Sequence, residues 1–180
     1  MIGHDVAEAI VTQASAGIVL LGIALAATRS IGRATWILAA QSALLAAAIL
    51  AVGVERDSWE LVAGAFVALG VRAIAVPIVL RRILHASPVR HERSPYLGPY
   101  GSLAAAIAIA FVAAVSVRDA LPAERAAGIV ALTAAISTAL TGLLLVVTRR
   151  KTISMVIGLL AFENGIALAA FELSAEMPLL

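Results

Sequence analysis

Long apolar stretches alternate with short polar connectors along this 180-residue chain. A helix that crosses a bilayer needs about 20 mostly apolar residues, and six stretches approach or exceed that length. Ala and Leu dominate them, and the strict alternation of a membrane β-strand is absent, so the pattern predicts helices rather than a barrel. We predict an all-α fold in which residues 1–180 form a single integral membrane domain, a polytopic bundle of six transmembrane helices. Their approximate bounds are 6–28, 34–54, 59–81, 98–117, 126–148 and 152–173.

The composition supports a membrane location. Hydrophobic residues make up 62% of the chain and charged residues 13%, whereas a soluble domain has about 25% charged residues. The chain has no Cys, which excludes disulfides, iron–sulfur clusters and thiolate metal sites within it. The three His residues lie outside the predicted spans, so no haem-ligand pair is expected in the membrane and we predict no cofactor. The N-terminus lacks the positive segment of a cleaved signal peptide, so the first stretch is interpreted as a retained helix.

The basic residues predict how the helices are oriented. Of the 13 Lys and Arg residues, nine lie in the connectors after the first, third and fifth spans, three lie after the second and fourth, and one lies inside the third. Cytoplasmic connectors carry an excess of Lys and Arg, so the connectors after odd-numbered spans are predicted to be cytoplasmic and both chain ends non-cytoplasmic. The basic residues form no continuous surface, so nucleic-acid binding is not expected.

Polar side chains interrupt three of the spans. Arg72 lies near the middle of the third span and Glu163 near the middle of the sixth. A charge at this depth costs about 2.5–3.5 kcal/mol or more, so an intramembrane ionisable residue indicates a functional site. Two interpretations stay open: the two residues form an ion pair that only fixes packing, or Glu163 gains and loses a proton beside an Arg72 that stays charged. The supporting polar candidates are Gln41, Ser42, Asn164, Thr133, Ser137 and Thr141.

Pro77 predicts an irregularity in the third span. It removes one backbone hydrogen bond and leaves the carbonyl near Ala73 free to bind water, so we predict a kink close to Arg72. Gly98 and Pro99 together suit the start of the fourth helix.

Three hydroxyl groups recur at every fourth position of the fifth span, at Thr133, Ser137 and Thr141. This spacing places them on one helix face. Such hydroxyls bond back to their own helix or line a hydrated face, and both interpretations stay open. No nucleophile–base pair, metal-ligand cluster or phosphate loop is recognisable in the sequence, so we do not expect the chain to be an enzyme by itself.

Two segments carry a family resemblance. The first consists of Ala40-Gln41-Ser42 in the second span, followed by the Trp59–Leu80 stretch, in which a central cation precedes a Val-Pro pair. The second runs from the basic turn Arg149–Lys151 through an Ile-Gly pair to Phe162-Glu163-Asn164-Gly165. Together they resemble component E of hydrogenase-4, the HyfE-type membrane subunit of formate-hydrogenlyase-like complexes. The family usually has Lys where this chain has Arg72, and it continues into a further transmembrane helix.

The second segment is also similar to the K-type subunit of respiratory complex I and to MrpC-like antiporter subunits. In those proteins a membrane glutamate stands at the position that Leu160 occupies here. Glu163 follows three residues later, one helical turn away on the same face. The resemblance therefore implies a carboxylate on that face but at a different depth.

The resemblance implies a non-catalytic membrane-arm subunit of a group 4 nickel–iron hydrogenase, or of a related complex-I-like assembly, in a bacterial or archaeal cytoplasmic membrane. Its partners would be antiporter-like subunits and the subunit that anchors the hydrogenase arm, with the lipid bilayer around them. Glu163 and Arg72 would then form a proton relay for proton or sodium translocation, while the redox chemistry belongs to other subunits. A purely structural scaffold subunit and a small secondary transporter are the alternative functions.

Overall fold

Six helices are long and apolar enough to cross a membrane in the computed structural model, which describes residues 3–86, 96–122 and 126–176. This confirms the predicted all-α class and the predicted number of spans, and it indicates a multi-pass membrane protein. The third span consists of three consecutive segments. The helices are α1 (His4–Ala27), α2 (Ile31–Glu55), α3 (Trp59–Val67), a π-helix (Ala68–Ala75), α4 (Val76–Ala86), α5 (Pro99–Ala120), α6 (Ala126–Thr148) and α7 (Thr152–Glu176).

Local capping explains where several helices begin. Ser30 and Ser58 precede α2 and α3, and each side chain accepts a backbone N–H three residues later at 3.5 Å. Such contacts satisfy an N–H group that the first turn of a helix leaves free. Helix α5 starts at Pro99 with Gly98 before it, which confirms the predicted start at this pair.

The third span changes its helical geometry around Arg72. Residues Ala68–Ala75 are π-helical, and the α-helix resumes at Val76, one residue before Pro77. A proline lacks the N–H that would bond four residues back, and its ring crowds that carbonyl. The wider π turn accommodates this, and short π segments occur frequently at functional sites. The π-helix therefore ends just before Pro77, with Arg72 inside it, and the kink at Pro77 stays a prediction.

The spans differ in how deeply they are buried. Helix α2 is the most buried, and the α3–α4 span is the least, with only 11% of its most apolar window covered by the rest of the chain. Large apolar side chains of this span, such as Phe66 and Ile74, are more than half exposed. The α3–α4 span packs chiefly against α2, so it lies at the edge of the bundle.

One end of the bundle, where α1, α4 and α6 finish and α2, α5 and α7 begin, is rich in Arg; we call it the basic end. Two cation–π contacts lie there: Arg81 stands 5.3 Å from the Trp36 ring centroid, and Arg150 stands 4.2 Å from that of Tyr96. Aromatic and basic side chains of this kind are typical of the boundary between lipid and water.

Candidate functional site

A layer of polar side chains separates two apolar clusters at the middle of the bundle. One cluster contains Ile18, Leu45 and Leu168, and the other, toward the basic end, contains Leu38 and Leu145. Between them, each contributing helix carries polar or glycine residues instead of large apolar ones. We call this set the polar layer; it comprises Gly22, Gln41, Ser42, Arg72, Ser137, Thr138, Thr141, Glu163 and Asn164.

The charged part of the polar layer is an ion pair between the π-helix and α7. The Arg72 Nη2 atom donates to Oε1 of Glu163 at 2.6 Å, and Arg72 Nη1 lies 3.4 Å from Oδ1 of Asn164. The two charged side chains are partly accessible in the isolated chain, 28% for Arg72 and 52% for Glu163. The structure therefore brings the two predicted relay residues into direct contact on the outer side of the bundle.

Asn164 connects this pair to the interior. Its Nδ2 atom donates to the Ser42 hydroxyl on α2 at 2.9 Å, and both side chains are buried. A continuous chain of hydrogen bonds thus runs from Arg72 through Asn164 to Ser42. The two neighbours on α7 therefore differ: Glu163 pairs with Arg72 at the surface, while the buried Asn164 joins Arg72 to Ser42.

The layer continues past Ser42 as buried polar groups that are not fully satisfied. Gln41 donates from Nε2 to the Ile18 carbonyl at 3.2 Å, but its Oε1 atom has no hydrogen-bond partner among the described residues. The Thr138 hydroxyl is also buried without a partner in that part of the chain. Gly22 separates the two: a Cβ there would lie 3.6 Å from Gln41 Nε2 and 3.9 Å from Thr138 Oγ1. Both distances are ordinary van der Waals contacts, so Gly22 of α1 lies directly between the polar groups of α2 and α6.

The three hydroxyls of α6 that the spacing places on one face differ in burial. Ser137 and Thr141 are buried, but Thr133 is half-buried and Thr138 takes its place as the third buried hydroxyl. With 3.6 residues per turn, positions 133, 137 and 141 do share one face. Thr133 is its least buried member, and Thr138 is a further buried hydroxyl on the adjoining side of the helix. The Ser137 hydroxyl bonds back to the Ala134 carbonyl at 3.2 Å.

Arg149 is a buried residue that the sequence pattern assigned only to a cytoplasmic connector. It is 6% exposed, and its Nη2 atom donates to the carbonyls of Ala26 and Thr28 at 2.8 and 3.1 Å. These carbonyls are among those that the end of α1 leaves without intrahelical partners. Nothing in the local pattern distinguishes Arg149 from its exposed neighbour Arg150, because the difference arises from where α1 ends in space.

Comparison with known proteins gives one informative match. No family model matches the chain, and no solved structure matches it. The chain is 30% identical over 172 residues to "Uncharacterized protein Rv0085" of Mycobacterium tuberculosis (strain ATCC 25618 / H37Rv), and the alignment covers 95% of this chain and 78% of that protein. With this identity across almost all of its length, the chain belongs to the same protein family as Rv0085.

Proposed function

We propose that this chain is a non-catalytic subunit of a membrane-bound, complex-I-like hydrogenase assembly, in which the polar layer takes part in moving protons or sodium ions. The observation that carries the proposal is the Arg72–Glu163 pair, formed at mid-span on the outer side of the bundle. The resemblance of two segments to HyfE-type and K-type subunits supplies the class of assembly. The redox chemistry belongs to the partner subunits.

The accessibility of the ion pair supports a place inside a larger complex. Half of the Glu163 side chain is uncovered in the isolated chain, and only 11% of the most apolar window of the adjoining α3–α4 span is buried. Charged groups in contact with acyl chains are strongly disfavoured, so intramembrane carboxylates face protein or water. A neighbouring antiporter-like or anchor subunit would cover this side and bring its own polar groups to Glu163.

The two charged residues of the polar layer differ in whether they can release a proton. Arg72 stays protonated under all physiological conditions, so it acts as a fixed positive charge. Glu163 can exist as a carboxylate or as an acid, and protonation would weaken its pairing with Arg72 while the Arg72–Asn164 contact remains. In this mechanism Glu163 takes up and releases the proton, Asn164 holds Arg72 in place, and Ser42 extends the hydrogen-bond path inward.

The orientation follows from the distribution of charge. We assign the basic end to the cytoplasm by the excess of Arg and Lys in its connectors, which places both described ends of the bundle on the opposite side. The membrane is the cytoplasmic membrane of a bacterium or archaeon, as the resemblance implies.

The test is Glu163→Gln in the assembly purified from its native host in mild detergent and reconstituted into vesicles. We expect the complex to assemble with its redox partners and to turn over, but to lose coupled proton or sodium movement. Glu60→Gln is the matched control, since Glu60 is an exposed carboxylate at the start of α3, far from the layer. Unchanged coupling in Glu163→Gln, or purification of the chain without any redox subunit, would refute the proposal.

The 2.6 Å ion pair also favours a second function, a scaffold subunit in which the pair only joins two helices. Exchanging the charges, Arg72→Glu together with Glu163→Arg, separates the two functions. A scaffold needs one positive and one negative group in contact, so the double variant would assemble and stay coupled. A relay needs a titratable group on α7, so the double variant would assemble without coupling.

A further inference from the structure

A second polar site lies at the basic end, one half of the bundle away from the polar layer. The end of α1 and the beginnings of α2 and α7 surround a small cavity there. The centre of a water molecule can move within about 20 Å³ of this cavity. That volume is enough for about one water molecule. Its polar lining comes from Thr28, Arg29, Ser30, Arg149 and Ser154.

Two helix N-termini meet at this cavity. Ser30 is the residue before α2, and Ser154 lies in the first turn of α7. The first turn of a helix carries N–H groups without intrahelical partners and a partial positive charge, which together favour an anion. Two such termini beside one cavity reinforce each other.

Two arginines add full positive charge to the same place. Arg149 is buried, and its hydrogen bonds to the Ala26 and Thr28 carbonyls hold the guanidinium in a fixed position beside the cavity. Arg29 is exposed at the rim. The site therefore combines a preorganised cation inside with an adaptable one at the entrance.

The Ser154 side chain indicates that the cavity binds a ligand. Ser154 is 9% exposed, it lines the cavity, and its side chain makes no hydrogen bond within residues 3–86, 96–122 and 126–176. Its oxygen is not among the fully enclosed polar atoms without a partner, which belong to Ser15, Gln41 and Thr138, so it is open to the cavity and can donate a hydrogen bond to an anion oxygen there.

We propose that this cavity binds a phosphate group. One phosphate oxygen fits the water-sized space beside Ser154, and the remaining oxygens face Arg29 at the rim. A phosphate suits several donors converging from different elements better than a single-point anion such as chloride does, and Arg is the side chain that best matches it. The phosphate can belong to an anionic lipid headgroup or to a soluble phosphate compound, and the inference is independent of the proposed function.

The experiment measures thermal unfolding of the purified full chain in neutral maltoside detergent. Phosphatidylglycerol, phosphatidylcholine and inorganic phosphate are titrated separately at constant ionic strength, and the half-saturating concentration of each stabilising compound is recorded. Phosphatidylglycerol alone stabilising the chain identifies a lipid headgroup as the source. Stabilisation by inorganic phosphate as well identifies a soluble phosphate compound. If neither phosphatidylglycerol nor inorganic phosphate stabilises the chain, the proposal is overturned.

Variants locate the binding. Ser154→Ala changes no charge and should raise the half-saturating concentration about tenfold, the effect of one hydrogen bond to a charged group. Arg29→Gln should raise it at least fivefold, about the contribution of one arginine near an anionic headgroup. Arg33→Gln is the matched control, because Arg33 is exposed in the first turn of α2 but does not line the cavity. If Arg33→Gln weakens binding as much as Arg29→Gln while Ser154→Ala has no effect, the attraction is diffuse and the site does not exist.

Discussion

The contact between α6 and α7 depends on glycines, and a single added methyl group should disrupt it. A Cβ built at Gly165 would lie 2.7 Å from the Ala135 carbonyl oxygen and 2.8 Å from the Ala139 Cα, and it would also overlap the Ala139 nitrogen. An ordinary carbon contact begins near 3.4 Å. The obstructing atoms are backbone, so no rotamer change relieves them, and the two helices must move apart by about 0.6 Å or more at Gly165→Ala.

Two opposing effects determine how much Gly165→Ala changes the free energy of unfolding. Overpacking of this kind costs about 1–3 kcal/mol, while Ala instead of Gly inside a helix returns up to about 1 kcal/mol through a smaller loss of backbone entropy. We expect Gly165→Ala to lower the free energy of unfolding by about 1–2 kcal/mol as the balance of these terms. Gly142→Ala should behave alike, since its Cβ would lie 2.7 Å from the Gly158 carbonyl oxygen and the Phe162 Cα and would overlap the Phe162 nitrogen.

The assay is reversible unfolding in mixed micelles with increasing sodium dodecyl sulfate, followed by circular dichroism. Gly32→Ala provides the matched control, because Gly32 lies within α2 and a Cβ there meets nothing within 4 Å. We expect that variant to be neutral or stabilised by up to about 1 kcal/mol. Equal stability of Gly165→Ala and Gly32→Ala would refute the close approach of α6 and α7, and with it the position of the neighbouring Asn164.

Two further predictions concern buried polar contacts. Arg149→Met should lower the free energy of unfolding by about 2 kcal/mol, because it removes the charged donor from the carbonyls of Ala26 and Thr28. Arg149→Lys should lose less. Equal free energies of unfolding for the unmodified chain and both variants would contradict the contact. A double-mutant cycle with Asn164→Ala and Ser42→Ala should give a coupling free energy of about 0.6 kcal/mol, typical of an interhelical hydrogen bond in a membrane protein. A coupling indistinguishable from zero would argue against the 2.9 Å bond.

Some features of the chain follow from local pattern alone. The number of spans depends on the length of apolar stretches, and for five of the six spans both predicted bounds lie within three residues of the helix ends in the structure. The start of α5 at Gly98-Pro99 and the irregularity before Pro77 follow from the missing N–H and fixed φ of proline, which act on neighbouring residues. The third span extends to Ala86 rather than 81, because Arg81 and Arg82 end an apolar stretch without ending a helix.

The members of the candidate site were mostly recognisable, but their arrangement was not. Arg72, Glu163, Asn164, Gln41 and Ser42 are conspicuous because each is polar within an apolar span. Their partners depend on residues far along the chain, since the ion pair joins positions 91 apart in sequence and the Asn164–Ser42 bond joins positions 122 apart. Only helix packing decides that Glu163 pairs with Arg72 at the surface, while the adjacent Asn164 contacts both Arg72 and the buried Ser42.

The sequence by itself determined that this is a bundle of six apolar helices with charge held at mid-span, because burial of apolar side chains and the satisfaction of backbone hydrogen bonds within each helix are local requirements. The tertiary structure decided which helix faces meet, through small residues such as Gly142 and Gly165 that let backbones approach. It also decided that Arg149, one of three consecutive basic residues, is buried against the end of α1. Such contacts depend on the relative position of whole helices, and no short stretch of sequence carries that information.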